Sequence, residues 1–332
     1  MTDTRFDVIA IGNAIVDILV HADDEFLNTH GLIKGAMALV DAETAAALYD
    51  KAGPAIECSG GSAANTIAGL ASLGGRCAFV GKVRDDQLGG VFAHDMRAIG
   101  VHFDTPAAAH GAATATSLVL VTPDAERTMQ TYLGACVDLG PGDVIADEIG
   151  GAEVTYLEGY LWDPPAAKEA FIKAADLAHG AGRKVALSLS DPFCVDRHRD
   201  AFAELVSKHV DILFANEDEI LSLYQAETFD AALQAVRGQC EIAALTRGAK
   251  GCVVVRGDEV HIIDAEPVGT VVDTTGAGDA FAAGFLHGYT QGEKLAIAAR
   301  MGNIAAAEVI SHLGARPATS LKDLVAARMG NS

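Results

Sequence analysis

The feature that most constrains this chain is an alternation of short β-branched runs with alanine-rich stretches of helical composition. Six runs are predicted strands, at residues 7–11, 77–80, 154–157, 185–189, 211–215 and 242–245. Helices are predicted after four of them, at residues 63–73, 166–179, 218–224 and 231–240. Because parallel strands need crossover connections that are usually helical, this alternation predicts an α/β fold with a mostly parallel sheet covered by helices.

Two parts of the chain depart from this alternation. Residues 251–256 and 259–263, joined by a turn, predict a hairpin that closes one edge of the main sheet. Strand-like runs at residues 15–20, 36–40, 115–121 and 127–133 have no convincing crossover helix. We expect them to form a separate small sheet, a lid made by insertions at about 13–42 and 101–134, within one α/β domain that spans 1–332.

The charge balance and the cysteines exclude several classes of protein. Acidic residues number 45 against 24 basic ones, which gives a formal net charge of −21. Such a surface repels nucleic acid and anionic lipid, so neither partner is expected. Six cysteines without a C-x-x-C pair indicate reduced thiols in a cytoplasmic protein and no zinc site. The N-terminal apolar run has no basic start and is interrupted by Asn13 and Asp17, so neither a signal peptide nor a membrane span is expected.

The stretch VVDTTGAGDAFAAGF, residues 271–285, carries the strongest functional signal. A strand is predicted to end at Val272 and a helix to begin near Ala280, with a glycine-rich loop between them. Free amides at a helix N-terminus form a hole for an anion. A carboxylate beside that hole suits a base that deprotonates a hydroxyl attacking a bound phosphoryl group. The alternative is an ordinary helix cap after a plain turn. The residues concerned are Gly276, Ala277, Gly278 and Asp279.

Two other segments present polar groups where a fold alone does not require them. In SGGSAANT, residues 59–66, Ser62 is the expected N-cap of a helix and Asn65 lies in its first turn, where an amide could meet ligand hydroxyls. Asp17 interrupts an apolar run, so it either faces solvent or binds a polar ligand such as a vicinal diol. Neither G-x-G-x-x-G nor G-x-x-x-x-G-K-[ST] is present, which argues against a dinucleotide-binding fold and a P-loop enzyme.

These motifs together resemble the ribokinase-like (PfkB) family of carbohydrate and nucleoside kinases, over essentially the whole chain. GGSAANT followed by LGGRCAFVGKV is similar to the N-terminal signature of the family, and DTTGAGDAFAAGF is similar to its C-terminal one. NEDE, residues 216–219, resembles its N-x-x-E element, and TRGAKG, residues 246–251, its nucleotide-contacting loop. GNAIVDI, residues 12–18, DILFANE, residues 211–217, and LSDPF, residues 189–193, resemble the adenosine kinase branch of the family. The resemblance implies a ribokinase-like three-layer fold, with a mostly parallel central sheet flanked by helices and a small β-sheet lid.

The resemblance also implies an activity and roles for particular residues. The activity is transfer of the γ-phosphoryl group of ATP, with Mg²⁺, to the ribose 5′-hydroxyl of a purine nucleoside. Asp279 is implied as the general base, and the amides of Gly276, Ala277 and Gly278 as the anion hole. Substrate contacts are implied for Asn13, Asp17, Gly61 and Asn65, with Ile15, Met129 and Leu133 as walls for the base. Nucleotide contacts are implied for Asn216, Thr246, Arg247, Gly248, Gly251 and Arg127. Glu219 is implied for Mg²⁺ through water, and Asp273 and Thr275 for K⁺.

Several alternatives stay open at this point. A sugar kinase acting on ribose, fructose or a sugar acid has the same mechanism, although MQTYL, residues 129–133, is rather apolar for a sugar pocket. A non-catalytic binding protein of the same fold is a further alternative. Met129 and Leu133 would serve equally well as core of the lid. Tyr160 and Trp162 lie where the resemblance implies pocket aromatics, although Trp162 could be a loop anchor instead. Ala318 stands where several family members place a serine beside the K⁺ site. Both a monomer and a homodimer mediated by the lid are compatible with the sequence.

Overall fold

The computed structural model describes residues 4–124 and 126–330. Its strands are β1 (Phe6–Ile11), β2 (Ile15–His21), β3 (Met37–Leu39), β4 (Ala55–Gly60), β5 (Cys77–Val80), β6 (Ala115–Val121), β7 (Arg127–Tyr132), β8 (Ala152–Glu158), β9 (Lys184–Ser188), β10 (Ile212–Asn216), β11 (Ile242–Thr246), β12 (Cys252–Arg256) and β13 (Glu259–Ile263). Its α-helices are α1 (Asp24–Thr29), α2 (Ala42–Tyr49), α3 (Ser62–Ser72), α4 (Gln87–Ala98), α5 (Ala146–Gly150), α6 (Pro165–Gly180), α7 (Pro192–His209), α8 (Glu217–Tyr224), α9 (Phe229–Val236), α10 (Ala277–Thr290), α11 (Leu295–Val309) and α12 (Leu321–Met329).

The main sheet has the strand order β13-β12-β11-β10-β9-β8-β1-β5. The six strands from β11 to β5 in this order run parallel, and all six correspond to predicted strands. Strands β12 and β13 pair antiparallel at one edge, which confirms the predicted hairpin. All the parallel strands therefore end at one edge of the sheet, where the loops that follow them can meet.

Helices cover both faces of this sheet. Alternate residues of β1 enter two separate hydrophobic cores, Ile9 and Ile11 on one face and Val8 and Ala10 on the other. Side chains of α6 and α7 complete the first core, and those of α3 and α10 the second. The predicted α/β layer fold is confirmed. No helix in the described part of the chain has the length and apolar character needed to cross a bilayer.

A second, smaller sheet has the order β3-β7-β6-β2-β4, and these five strands are called the small sheet below. Four of its strands match the predicted runs. The fifth, Ala55–Gly60, was not predicted and lies outside both expected insertions. Its sequence AIECSG does not alternate between apolar and polar residues, so periodicity did not indicate a strand. The structure shows the reason: Ala55 and Ile56 are exposed, and the strand becomes buried only near its end. The small sheet thus continues directly into α3 through Gly60 and Gly61.

Three local predictions were wrong. No strand ends at Val272, whose amide bonds to the Ile310 carbonyl at 2.8 Å in a loop. Helix α9 ends at Val236, four residues early, because Arg237 is extended and Gly238 has a positive φ of 77°. Ser62 is not the N-cap of α3; Gly61 occupies that position with a φ of 98°, a conformation that favours glycine.

Candidate active site

One cavity of about 430 Å³ lies where the parallel strands of the main sheet end and the small sheet begins. Ligand sites in open α/β sheets lie beyond the carboxyl ends of their strands, and this cavity follows that rule. The last residues of four consecutive strands line it: Glu158, Ser188, Asn216 and Thr246.

The opposite wall of the cavity is one face of the small sheet. Alternate residues of four strands reach it: Ile15, Asp17, Met37, Leu39, Ser117, Val119, Arg127, Met129 and Thr131. Because side chains alternate across a strand, Val16 and Ile18 point away into the core. Register places Asp17 beside Ser117, and Met129 between Met37 and Val119. This pleating explains how an acid fits within an apolar run.

The glycine-rich loop begins α10 on the main-sheet side of the cavity. Gly276 is the N-cap with a φ of 77°, and a Cβ there would lie 2.7 Å from the Cβ of Ala315, so glycine is required. The Ala277 amide already donates to the Thr274 carbonyl at 3.2 Å. Of the three amides predicted as an anion hole, those of Gly276 and Gly278 are thus the ones left to meet a ligand.

Asp279 is the third residue of α10 and lines the cavity. Its Oδ1 accepts a hydrogen bond from the Ser62 hydroxyl at 2.6 Å, and its Oδ2 one from Asn65 Nδ2 at 3.5 Å. Burial raises the pKa of Asp279 to about 6, although these two hydrogen bonds oppose the shift. A carboxylate that titrates close to neutral pH can accept a proton from a bound hydroxyl. Ser62 therefore contacts the candidate base and does not cap its own helix.

Asp17, Gly61 and Asn65 all line this cavity. Burial raises the pKa of Asp17 to about 6, and the positive charges of Arg316 and Arg127 partly oppose that shift. The structure thus brings the predicted hydroxyl-binding residues to within reach of one ligand.

Glu158 is a site residue that the sequence analysis missed. It is buried, and its carboxylate accepts hydrogen bonds from Asn13 Nδ2 at 2.6 Å and from the Ala63 amide at 2.8 Å. Burial raises the pKa of Glu158 to about 7, those hydrogen bonds oppose the shift, and the charge of Asp279 adds to it. The carboxylate holds Asn13 and the start of α3 in place. A single acid at the end of the apolar strand YLE was the signal that could have revealed it.

Asn216 and Glu219 form a reciprocal cap at the start of α8. The Asn216 amide and Nδ2 donate to the two Glu219 oxygens at 2.9 and 2.7 Å. Burial, opposed by the Asn216 hydrogen bond and increased by Asp191, raises the pKa of Glu219 to about 7. Because both oxygens are already engaged, Glu219 suits a metal-bound water better than the metal itself. Among the described residues no cluster of three or more His, Cys, Asp or Glu side chains forms a cage for a metal.

The predicted nucleotide loop meets the cavity only in part. Thr246 lines it, whereas Arg247, Gly248 and Gly251 are outside its lining. The Arg247 guanidinium pairs with Glu217 at 2.9 Å and lies 3.8 Å over the ring of Phe229. Arg247, Gly248 and Gly251 lie beyond the lining of the cavity, and their contacts with nucleotide stay a prediction.

Arg127 and Asp273 were predicted to contact phosphate and K⁺ separately, but the structure pairs them. Arg127 Nε lies 2.9 Å from Asp273 Oδ2, with 9% and 6% of the two side chains exposed. The pair is ionic without the alignment of a hydrogen bond, and Nη2 of Arg127 is buried without a partner among the described residues. Asp273 also accepts the amides of Thr275 and Gly314, each at 3.0 Å. Asp273 is thus an ion-pair partner of Arg127, and its assignment together with Thr275 to a K⁺ site stays a prediction.

The two aromatic residues between β8 and α6, Tyr160 and Trp162, lie in different environments. Tyr160 lines the cavity, and its amide donates to the hydroxyl of Ser190, a non-glycine residue with a positive φ of 73°. Trp162 is buried between Phe171 and Phe202, with ring centroids 5.6 and 5.8 Å away. Trp162 is therefore an anchor in the core.

The comparisons with known proteins agree with this architecture. The profile of the family described as pfkB family carbohydrate kinase matches residues 51–322. The crystal structure of an adenosine kinase from Sinorhizobium meliloti is 54% identical, with a TM-score of 0.90 over 98% of this chain and 99% of that one. A probable sugar kinase from Rhizobium etli is 52% identical, with a TM-score of 0.91 over 98% and 99%. An uncharacterized sugar kinase from Archaeoglobus fulgidus is 29% identical over 253 residues, 75% of this chain and 96% of that protein.

Proposed function

The chain belongs to the pfkB family of carbohydrate kinases, and from that premise we propose that its acceptor is a purine nucleoside, phosphorylated on the ribose 5′-hydroxyl. The coarser activity follows from the family: the protein is a sugar or nucleoside kinase, a phosphotransferase that uses an alcohol group as acceptor and ATP as donor.

The observation that carries the proposal is the division of the cavity into a polar end and an apolar wall. Asp17, Asn65 and Asp279 supply the polar groups, here called the polar end, and the apolar residues of the small sheet supply the wall, namely Ile15, Met37, Leu39, Val119 and Met129. A purine needs a flat apolar surface, whereas a ribose needs acceptors and donors for its hydroxyls. Leu133 also lines this wall. The 54% identity to an adenosine kinase supports the same acceptor.

In the proposed mechanism the chain holds the two reactants in line. The amides of Gly276 and Gly278, at the positive end of the α10 dipole, hold the γ-phosphoryl group of ATP. Asp279 takes the proton of the acceptor hydroxyl as its oxygen bonds to the γ-phosphorus, and the bond from that phosphorus to the β-phosphate oxygen breaks, leaving ADP. Ser62 and Asn65 keep the Asp279 carboxylate in one orientation.

Mg²⁺ fits the carboxylates at the nucleotide end of the cavity. Glu219 and Asp191 line it, and their mutual repulsion contributes to the raised pKa of Glu219, which a divalent cation would relieve. Asn216 and Glu219 would hold the ion through water, and the bound ion supplies positive charge to the phosphates.

A sugar kinase is the second candidate. The Rhizobium etli and Archaeoglobus fulgidus proteins, named as sugar kinases, support it. So does the polar end of the cavity, because Asp17 and Asn65 would bind the vicinal hydroxyls of a free sugar as readily as those of a ribose. The two candidates differ in whether the apolar wall contributes to binding of the acceptor: a purine base would contact the wall, whereas a free sugar has no base to do so.

The test is ADP release from ATP and Mg²⁺ with adenosine, guanosine, ribose and fructose as separate acceptors, run beside Asp279→Asn. We expect turnover with a purine nucleoside and not with the free sugars. Turnover with a free sugar alone would replace the proposed acceptor by the second candidate and leave the mechanism standing. Turnover by Asp279→Asn at the wild-type rate would contradict the mechanism whatever the acceptor.

A further inference from the structure

Arg316 is a partly buried cation that none of the roles above uses. It lies in the loop between α11 and α12, directly after Ala315, the residue that packs against Gly276. Its Nη1 donates to the Ser59 hydroxyl at 2.8 Å, its Nε to Asn65 Oδ1 at 3.3 Å, and Nη2 lies 3.7 Å from the sulfur of Met96. No direct carboxylate partner is among these contacts. Even partial burial of a guanidinium on neutral acceptors is costly, so the arrangement calls for a reason beyond packing.

The charges around Arg316 come from the acceptor side of the site. Asp17 on β2 and Asp95 on α4 face it, as does the thiol of Cys58 on β4. Asp17 lines the cavity, whereas Arg316 lies behind that surface and outside the lining. Arg316 therefore reaches the ligand only through the residues that it holds.

Asn65 is the residue through which Arg316 would act. Its amide lies between two charged groups, with Oδ1 accepting from Arg316 Nε and Nδ2 donating to Asp279 Oδ2. If the amide were rotated by half a turn, its NH₂ would face the guanidinium and its oxygen would face the carboxylate. Both contacts would then be repulsive, because a guanidinium only donates and an ionised carboxylate only accepts. The two charges together therefore determine which end of the amide meets Asp279 and the cavity.

We propose that Arg316 is a positioning residue of the acceptor site, which holds the Asn65 amide with its NH₂ toward Asp279 and the bound hydroxyl. The inference rests on the proposed function, because it assumes a hydroxyl acceptor at Asp279. It adds a rule for substrate choice. Asn65 offers a donor and Asp17 an acceptor, so the site selects two neighbouring hydroxyls of which one accepts a hydrogen bond and the other donates one.

The decisive experiment is a double-mutant cycle between Arg316→Met and Asn65→Ala, with kcat/KM for adenosine as the readout. Because each change removes a hydrogen bond to a charged group, we expect each single variant to lose about 10- to 100-fold. If Arg316 acts through Asn65, the double variant loses no more than Asn65→Ala alone. Losses that multiply would overturn the inference.

A second readout separates positioning from a general structural role. The ratio of kcat/KM for adenosine to that for 3′-deoxyadenosine and for 2′-deoxyadenosine measures how the ribose hydroxyls are recognised. We expect Asn65→Ala and Arg316→Met to reduce the same one of these two ratios, and KM for ATP to stay within about twofold. Unchanged ratios in Arg316→Met would contradict the inference even if its activity were low.

Two further variants guard against misfolding. Arg316→Lys keeps a cation and one donor, and we expect it to recover part of the loss. If Arg316→Met does not fold, Arg316→Lys takes its place in the cycle. Arg199→Met is the matched control, because Arg199 is a partly buried arginine whose Nε donates to the Ser222 carbonyl at 2.8 Å and which lies outside the cavity lining.

The two proposals fail in different ways. Turnover by the wild-type protein together with a multiplicative cycle would overturn the role of Arg316 alone. Absence of wild-type turnover with every acceptor would overturn the proposed function and the inference with it.

Discussion

The two sides of the cavity are built on different principles. On the main-sheet side, polar groups are bonded to one another: Ser62 and Asn65 hold Asp279, and Glu158 holds Asn13. On the small-sheet side, alternate residues of pleated strands form a wall in which apolar residues such as Ile15, Val119 and Met129 stand beside Asp17 and Arg127, and fewer hydrogen bonds join its side chains. Hydrogen bonds hold single atoms in position, whereas a pleated wall offers only shape and area. The first side therefore suits the chemical step, and the second suits the choice of acceptor.

The largest effect should come from the candidate base. Asp279→Asn keeps the size of the side chain and an acceptor for Ser62, but it cannot take a proton, so we expect kcat to fall about 10³-fold. The ionised carboxylate is disfavoured by burial, since its pKa is raised to about 6, so the variant should unfold at a higher temperature at pH 7. Single-turnover kinetics test the expected loss of activity, and thermal unfolding at pH 7 tests the expected gain of stability. A kcat within tenfold of wild type would contradict the assignment.

The anion loop should respond next, and its two glycines should respond differently. Gly276→Ala forces a methyl group against Ala315 at a φ of 77°, which should cost about 1–2 kcal/mol of unfolding free energy in addition to activity. Gly278→Ala meets nothing within 4 Å, so stability should be kept while kcat falls by about 10²-fold, because the methyl group enters the space meant for the phosphoryl group.

Denaturant unfolding and kcat of both glycine variants test this difference. Equal losses of stability in the two variants would show that the glycine-rich loop does not depend on the backbone conformation of Gly276. Full activity in Gly278→Ala would show that no anion approaches that amide.

The pH dependence should report the buried acids of the cavity. Asp279 must be ionised to accept a proton, so kcat should fall about tenfold between pH 7 and pH 5 as the group titrates near pH 6. The unfolding free energy should change with pH in the opposite direction to kcat. The folded pKa values of Asp279 and Asp17 lie above the ordinary value of 3.8, so their contribution to stability is present below that value and is lost as pH rises through 6. A pH profile of kcat that stays level down to pH 5 would contradict the shifted base.

The smallest effect should come from the apolar wall. Met129→Ala removes part of the surface for the base, and we expect KM for adenosine to rise about fivefold with kcat nearly unchanged. Ile56→Ala is the matched control, because Ile56 is an exposed apolar residue of the same small sheet outside the cavity lining. Equal KM values in the two variants, or a fall in kcat instead of a rise in KM, would contradict the proposal that the small-sheet wall binds the acceptor and takes no part in the chemical step.

The sequence predicted much of the polar side because its signals are local. A glycine-rich loop before a helix indicated the anion hole and Asp279, and an acid within an apolar run indicated Asp17. The partners of these residues were not predictable in the same way. Ser62 and Asp279 are 217 residues apart, Asn65 and Arg316 are 251 apart, and Glu158 and Asn13 are 145 apart. No periodicity or spacing encodes such pairs.

The sequence by itself determined the alternation of strands and helices, the glycine-rich loop that needs a left-handed backbone at Gly276, and the acids Asp17 and Asp279. These properties depend on neighbours within a few residues, which propensity and periodicity describe. Tertiary structure alone decided that β4 joins the small sheet, that Arg127 pairs with Asp273, and that Arg316 lies behind Asn65. Each of these depends on which chain segments meet after folding, because charges and hydrogen bonds act across space and not along the chain.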